Sequence, residues 1–114
     1  MKNKGLKQIA VEISLNVGQP SDVINAPLYN GTCIGLAFFL NSGTGSTNIG
    51  VRDGGGTDVL DAVHYKDYEK GNIGGLAAYK PCHFISNPQT KIVVSRKDSA
   101  RTFSGQMIFI IQTI

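Results

Sequence analysis

The sequence predicts an all-β fold, namely a two-sheet antiparallel β-sandwich of about eight short strands. Apolar and polar residues alternate with a period of two in several segments, and this period is typical of strands that have one buried face. Glycine accounts for 14 of the 114 residues and charged residues for only 17%, a composition that favours many strands joined by turns. No segment keeps a 3.6-residue period over the length of a long helix.

A chain of this length is expected to form a single β-sandwich domain, residues 1–114, around one core. Residues 1–6 are interpreted as a short basic segment at its start. The formal net charge of +3 is too small to indicate nucleic-acid binding by itself. Nucleic-acid contact is therefore expected only through Lys2, Lys4 and Lys7.

The start of the chain does not have the pattern of an export signal. Glu12 and the polar alternation around it interrupt the apolar core that a signal peptide needs. Nowhere do about 18 apolar residues run together, so no membrane span is expected. In a chain without a leader the two cysteines, Cys33 and Cys82, are expected to stay reduced.

The first half of the chain predicts two strands separated by a long loop. Residues 7–17 alternate throughout and predict a strand with one buried face. Residues 18–31 are predicted to be a loop, because Pro20 and Pro27 do not fit the interior of a sheet. Residues 32–40 resume the alternation. The two faces of this strand are predicted to carry Thr32, Ile34, Leu36, Phe38 and Leu40 on one side and Cys33, Gly35, Ala37 and Phe39 on the other.

The stretch VRDGGGTDVLD, residues 51–61, has the layout of a β-hairpin turn, because short apolar runs flank its three glycines. A calcium loop is disfavoured, since it needs acids at alternating positions and Asp53 and Asp58 are five positions apart. A phosphate-binding loop is disfavoured because no Lys with Ser or Thr follows the glycines. Glycine permits positive φ and Asp bonds its own backbone, so we interpret the stretch as a turn.

The segment after this turn is predicted to continue as a strand to Tyr65, followed by one irregular or helical turn through KDYEKG. A helix that begins at Thr57 or Asp58 and ends at Gly71 is the alternative. Further short strands are predicted at residues 72–79, 83–86, 91–96 and 105–114.

Few side chains could carry catalysis or bind a metal. Cys82 and His83 are adjacent, and neighbours on a strand point to opposite faces, so they do not readily meet. Zinc binding by Cys33, His64, Cys82 and His83 is disfavoured because the four lack paired close spacing. Both histidines are expected to have structural roles, and neither enzymatic activity nor a cofactor is expected.

The last strand, GQMIFIIQTI, is apolar on both faces. A strand in an antiparallel two-layer domain usually has one apolar and one solvated face. Leaving the second set of side chains in water would forgo about 1.5–3 kcal/mol for each one, so self-association is expected. The alternative is that the loop at residues 18–31 covers them in a monomer. The candidate subunit interface consists of Phe39, Ile108, Ile110 and Ile114.

Three stretches follow one another in the second half: TNIGVRDGGGTDVL, then YKDYEKG, then KIVVSRKDSARTFSGQMIFIIQT. They combine a strand and glycine hairpin, a charged corner with tyrosines, and a closing apolar strand. In this order, over residues 47–114, the sequence resembles small single jelly-roll virion structural proteins of bacteriophages, of the penton (vertex) or minor capsid type. The resemblance implies a jelly roll that serves as a non-enzymatic subunit of a virion shell. It also implies assembly in the bacterial cytoplasm with other capsid proteins, and no site residue is carried over from it.

A carbohydrate-binding, lectin-like module is the alternative function. It would need an exposed, coplanar pair among Tyr29, Tyr65, Tyr68 and Tyr79, with acids or amides beside it. A small hydrolase built on His64 or His83 ranks last, because the spacing of a triad or a metal site is missing.

Overall fold

The structure is a computed structural model, and it describes residues 5–43, 47–69 and 79–113. These residues form eight strands and one short 3-10 turn, and no helix among them is long and apolar enough to cross a membrane. The strands are Leu6–Leu15 (β1), Ser21–Asn25 (β2), Gly31–Ser42 (β3), Thr47–Arg52 (β4), Asp58–His64 (β5), Lys80–Ser86 (β6), Lys91–Arg96 (β7) and Phe103–Thr113 (β8), and the 3-10 turn is Tyr65–Tyr68.

The strands pair so that the second half of the chain returns along the first. β1 pairs with β8, β2 with β7, β3 with β6 and β4 with β5. The pairs β3–β8 and β4–β7 join these into two four-stranded sheets, β1-β8-β3-β6 and β2-β7-β4-β5, here called the first and the second sheet. Every pair is antiparallel, which confirms the predicted all-β sandwich of two antiparallel sheets.

The predicted long loop at residues 18–31 is wrong in its middle, where β2 pairs with β7. β2 is a five-residue edge strand that lies between Pro20 and Pro27, and an edge position tolerates proline at its ends because one side makes no ladder bonds. The rest of the loop adds Ala26 and Leu28 to the core. The predicted strand at residues 72–79 lies outside the described residues except for its last position.

β3 does not keep the alternation that its sequence indicates. Cys33 pairs with Ile111 of β8 and Gly35 with Ile110, so Ile34 is one extra residue relative to β8. This β-bulge shifts the alternation by one position. The periodicity predicted that Cys33 and Leu36 lie on opposite faces. In the structure both side chains lie in the core.

The core lies between the two sheets and is aromatic at one end. Phe38 stacks on Phe103 with ring centroids 5.7 Å apart, and the edge of Tyr65 approaches both rings at 5.6 and 5.4 Å. All three side chains are buried. Gly105 lies directly beneath the Phe38 ring, and its missing side chain makes room for that ring.

The glycine-rich stretch is a hairpin turn between β4 and β5, as predicted. The Asp53 carboxylate accepts hydrogen bonds from the backbone N–H groups of Gly55 and Thr57, both at 2.9 Å. Arg52 and Asp58 form an ion pair across the base of the turn at 2.9 Å. Because Asp53 bonds its own turn and Asp58 is paired, these acids are explained by local structure.

The segment after β5 is the predicted turn and not the alternative helix. His64 Nδ1 accepts a hydrogen bond from the Lys66 N–H and caps the 3-10 turn. The turn buries Tyr68, whose hydroxyl donates to the Ile49 carbonyl oxygen at 3.0 Å and approaches that of Asp61 at 3.4 Å. Tyr68 thus links the turn to β4 and β5.

We expect Tyr68→Phe to lower the free energy of unfolding by about 1–2 kcal/mol at neutral pH, because a buried hydrogen bond is lost. Burial, followed by the charge of Asp67, raises the pKa of Tyr68 to about 12. The folded state therefore favours the neutral phenol. The contribution of this preference to the free energy of unfolding is complete below about pH 10 and is lost as the pH rises towards 12. Urea unfolding across this range should show a shallower pH dependence for Tyr68→Phe than for wild type.

The matched control is Tyr29→Phe, because Tyr29 is exposed. It should leave both the stability and its pH dependence unchanged. Equal slopes for the two variants between about pH 10 and 12 would contradict the role assigned to the Tyr68 phenol.

Candidate subunit interface

The candidate interface is the outer face of the first sheet, on the side away from the second sheet. The register places Ile108 of β8 between Ala10 of β1 and Ala37 of β3. One step along, Gln106 lies between Glu12 and Phe39. Diagonal neighbours on one face of a sheet lie about 7–8 Å apart, so Ile108 and Phe39 belong to the same surface region.

Ile110 does not belong to the exposed surface, and the expectation that it is available to a partner is wrong. It keeps only 5% of its exposure although it points away from the core side chains of β8. It lies in the row between Gln8 and Gly35. The Gln8 side-chain amide donates to the Tyr79 hydroxyl at 3.4 Å. Because Tyr79 precedes β6 at the opposite edge of the sheet, this bond spans the face at the position of Ile110.

Phe39 is exposed as the sequence predicted, with 40% of its surface accessible, and Leu40 beside it keeps 37%. A second register shift lies beyond this pair, between Leu40 and Ser42, and Leu40 itself still pairs with Gly105, so its side chain points to the inner face of the sheet. Two shallow depressions of about 380 and 330 Å³ adjoin the pair. Phe39 thus forms an apolar protrusion of the outer face beside the two hollows, and Leu40 borders the hollows from the inner face.

The rim of these hollows is acidic and polar. Glu12 and Gln106 line one hollow and are joined by a hydrogen bond of 3.2 Å. Glu69 lines the other, and its backbone forms an isolated parallel bridge with Phe38. We call the surface made by Ala10, Phe39 and Ile108 the outer patch.

Of the two remaining predicted interface residues, one is half-buried and the other lies outside the described residues. Ile108 is half-buried, while Ile114 lies outside the described residues, as do Lys2 and Lys4 of the basic segment. Lys7 is exposed on β1.

Sequence reasoning also missed exposed apolar side chains elsewhere on the sandwich. Val23 on β2 keeps 51% of its exposure and Ile85 on β6 keeps 67%. Ile85 could have been found from the alternation of β6, because Phe84 beside it is a core residue.

The residues considered for catalysis and metal binding are only partly brought together. His64 caps the 3-10 turn, which is a structural role as predicted, and His83 is exposed on β6. Cys33 and Cys82 are free thiols whose sulfurs lie 3.6 Å apart. Within residues 5–43, 47–69 and 79–113, no group of three His, Cys, Asp or Glu side chains is arranged to hold a metal ion.

The tyrosines do not form the predicted sugar-binding platform as a set. Tyr65 and Tyr68 are buried in the core, so neither can stack on a ligand from solvent. Tyr29 is exposed at the end of the loop before β3, and the Tyr79 hydroxyl bonds Gln8. The lectin-like alternative therefore loses two of its four candidate residues.

The fold and the outer patch define a small antiparallel β-sandwich with an apolar area on one sheet. The chain matches no protein-family model, and neither a curated protein nor a solved structure is significantly similar to it. The functional interpretation therefore depends on the topology and surface of the chain itself.

Proposed function

We propose that this protein is a non-enzymatic structural subunit of a virion shell, of the penton or minor capsid type, which assembles with further copies of itself through the outer patch. The exposure of Phe39 on the outer face of the first sheet carries this proposal. The remaining support comes from the strand topology and from the charge around the patch.

The topology supports a jelly roll as the specific kind of sandwich. A jelly roll has eight strands in two sheets. It forms when a long antiparallel ribbon, with the first strand against the last and the second against the last but one, is rolled up. The four pairs β1–β8, β2–β7, β3–β6 and β4–β5 are the rungs of such a ribbon, and β3–β8 and β4–β7 are the contacts that rolling adds. Viral capsid and lectin domains both use this architecture, so it is compatible with the proposal without being specific to it.

The outer patch supports self-association on energetic grounds. A contiguous apolar area on a small protein commonly marks a contact surface. Phe39 keeps 40% of its surface in water, so its burial would contribute about 1 kcal/mol or more. An aromatic and an aliphatic side chain beside shallow hollows are suited to the centre of a protein contact.

The charge distribution favours another copy of this chain as the partner. Glu12 and Glu69 line the hollows beside the patch, whereas the whole chain has 11 basic and 8 acidic residues. A head-to-tail contact that places the acidic rim of one copy against basic side chains of the next generates a closed ring where the rotation between copies closes. In this proposal the ring is assembled in the bacterial cytoplasm with other capsid proteins, and Lys2, Lys4 and Lys7 are available to nucleic acid.

Size-exclusion chromatography with light scattering tests the self-association. The wild-type protein is expected to have a mass that is a multiple of 12.2 kDa at high concentration. Phe39→Asp should give a monomer, or weaken the association at least about tenfold, because a charge would be buried in the contact.

The matched control is Val23→Asp, which places the same charge at an exposed apolar site on the second sheet. It should leave the mass unchanged. A wild-type monomer up to the solubility limit, or equal masses for the two variants, would count against the outer patch as the contact.

A further inference from the structure

Two thiols that are 49 positions apart in the chain meet inside the sandwich. Cys33 lies on β3 and Cys82 on β6, and these strands are direct neighbours in the first sheet. Both side chains belong to the core or pack against it, and their sulfurs are 3.6 Å apart. The bulge at Ile34 produces this meeting, because it turns Cys33 towards the core.

We propose that Cys33 and Cys82 form a reversible intramolecular disulfide bond, with a low-molecular-weight disulfide such as oxidised glutathione as the oxidant. This inference depends on the sandwich alone and is independent of the proposed self-association.

The geometry requires little movement for the bond to form. A disulfide needs sulfurs about 2.05 Å apart, so the two Sγ atoms have to approach by about 1.5 Å, which small χ1 rotations on adjacent strands can supply. Formation of the disulfide would break only weak hydrogen bonds of the two thiols. Cys33 Sγ donates to the Gly35 carbonyl oxygen at 3.4 Å and Cys82 Sγ to that of Cys33 at 3.7 Å, and thiols are weak donors.

The surroundings assign different roles to the two thiols. Cys82 is half-buried near the sheet edge, whereas Cys33 is fully buried. The hydrogen bond with Cys33 lowers the pKa of the Cys82 thiol against the opposing effect of burial, and the charge of Lys80 lowers it further. The same hydrogen bond and burial raise the pKa of Cys33. Because the thiolate is the nucleophile, Cys82 is the attacking thiol and Cys33 the resolving thiol.

The reaction follows thiol–disulfide exchange in two steps. The Cys82 thiolate attacks one sulfur of oxidised glutathione, whose S–S bond breaks, and one glutathione thiolate leaves. Cys33 then gives up its proton, and its sulfur attacks Cys82 Sγ and releases the second glutathione. In total, two protein thiols are oxidised to one disulfide, and one glutathione disulfide is reduced to two thiols that carry the two protons.

The bond would fix β6, which is an edge strand and, within the part of the chain that the structure describes, pairs only with β3. It would also close a long loop that contains β4 and β5, and long closed loops restrict the unfolded chain most. Oxidation is therefore expected to stabilise the fold and to hold β6 in register beside the bulge.

Intact-mass spectrometry of the reduced protein after incubation with oxidised glutathione tests the proposal. The wild type should lose two hydrogens and keep no glutathione. It should remain monomeric on a denaturing gel without reductant, and its thermal midpoint should rise by about 10 °C or more. Cys33→Ala should retain one glutathione on Cys82, while folded Cys82→Ala should retain none.

Three results would overturn the proposal: an unchanged wild-type mass, a lasting glutathione adduct on the wild type, or disulfide-linked dimers as the main product. Equal glutathione adducts on the two folded variants would overturn the assignment of attacking and resolving thiols. The wild-type mass decides the existence of the bond without either variant, so a variant that fails to fold does not leave the question open.

Discussion

Gly105→Ala is expected to lower the free energy of unfolding by about 3 kcal/mol, and Gly105→Val should prevent folding. A Cβ at this position would lie 2.6 Å from Phe38 Cε1 and 2.6 Å from the Phe39 carbonyl oxygen, and closer still to Phe38 Cζ. Overpacking a dense core typically costs about 1–3 kcal/mol, and here both a stacked ring and the backbone of β3 obstruct the new atom. Urea unfolding followed by circular dichroism measures the loss.

A double-mutant cycle with Phe38→Leu separates the two obstacles. The smaller side chain relieves the contact with the ring, so the double variant should recover part of the loss that Gly105→Ala causes alone. Recovery should be incomplete, because the Phe39 carbonyl oxygen stays in place. A single Gly105→Ala variant that unfolds within about 0.5 kcal/mol of wild type would contradict the close packing of β3 against β8.

Arg96→Ala is expected to be the second severe substitution, with a loss of about 4 kcal/mol. Arg96 is buried, and its guanidinium donates to three backbone carbonyl oxygens, those of Gln19 at 3.1 Å, Arg101 at 2.6 Å and Asn16 at 2.8 Å. Hydrogen bonds to charged groups contribute about 1.5–3 kcal/mol each. Truncation would leave these carbonyls without that donor and would open a cavity. Chemical unfolding at neutral pH measures the change.

The contacts of Arg96 also define informative controls. Arg96→Lys keeps the positive charge but not the planar set of donors, so it should recover less than half of the stability. Arg101→Ala removes an exposed side chain at a residue that contributes only its carbonyl, and it should change the stability by less than about 0.5 kcal/mol. Similar losses for Arg96→Ala and Arg101→Ala would show that the positive charge around these two residues, and not the hydrogen bonds of Arg96, determines the stability.

The parts of the fold that were predictable are those determined by local pattern. β1 alternates without interruption, and it pairs with β8 in an unbroken register. The hairpin between β4 and β5 follows from three glycines flanked by acids that bond or pair within the turn. A turn was predicted after Tyr65, and the 3-10 turn begins one residue earlier, at Tyr65 itself. In each case, residues close together in the sequence supply most of the interactions that determine the local structure.

The parts that were not predictable depend on residues distant in the chain. β2 is a strand because β7 lies beside it, although two prolines suggest a loop. Cys33 and Cys82 meet because β3 pairs with β6, and no spacing between them in the sequence indicates it.

The candidate site shows the same division. Ile110 and Phe39 were both predicted to face outward from alternation on their own strands. Phe39 is exposed, whereas Ile110 is covered at the position where the bond between Tyr79 and Gln8 crosses the sheet. The direction in which a side chain points is therefore determined by its own strand. Its exposure, in contrast, depends on segments from distant parts of the sequence that pack over it.

Because of the bulge at Ile34, the number of residues in β3 matters as much as its composition in deciding which side chains face the core. Deletion of this one residue would give β3 and β8 a continuous ladder in which Cys33 still pairs with Ile111 and Gly35 with Ile110, so no position would change faces. Loss of one residue between Gly35 and Phe39 would instead reverse the faces on the N-terminal side of the loss, and the Cys33 thiol would then turn away from the core. Sequence variants of the protein should for this reason accept the loss of Ile34 more readily than a change in length elsewhere in β3, and an alignment that places a gap at Ile34 would still assign the inside and the outside of β3 correctly.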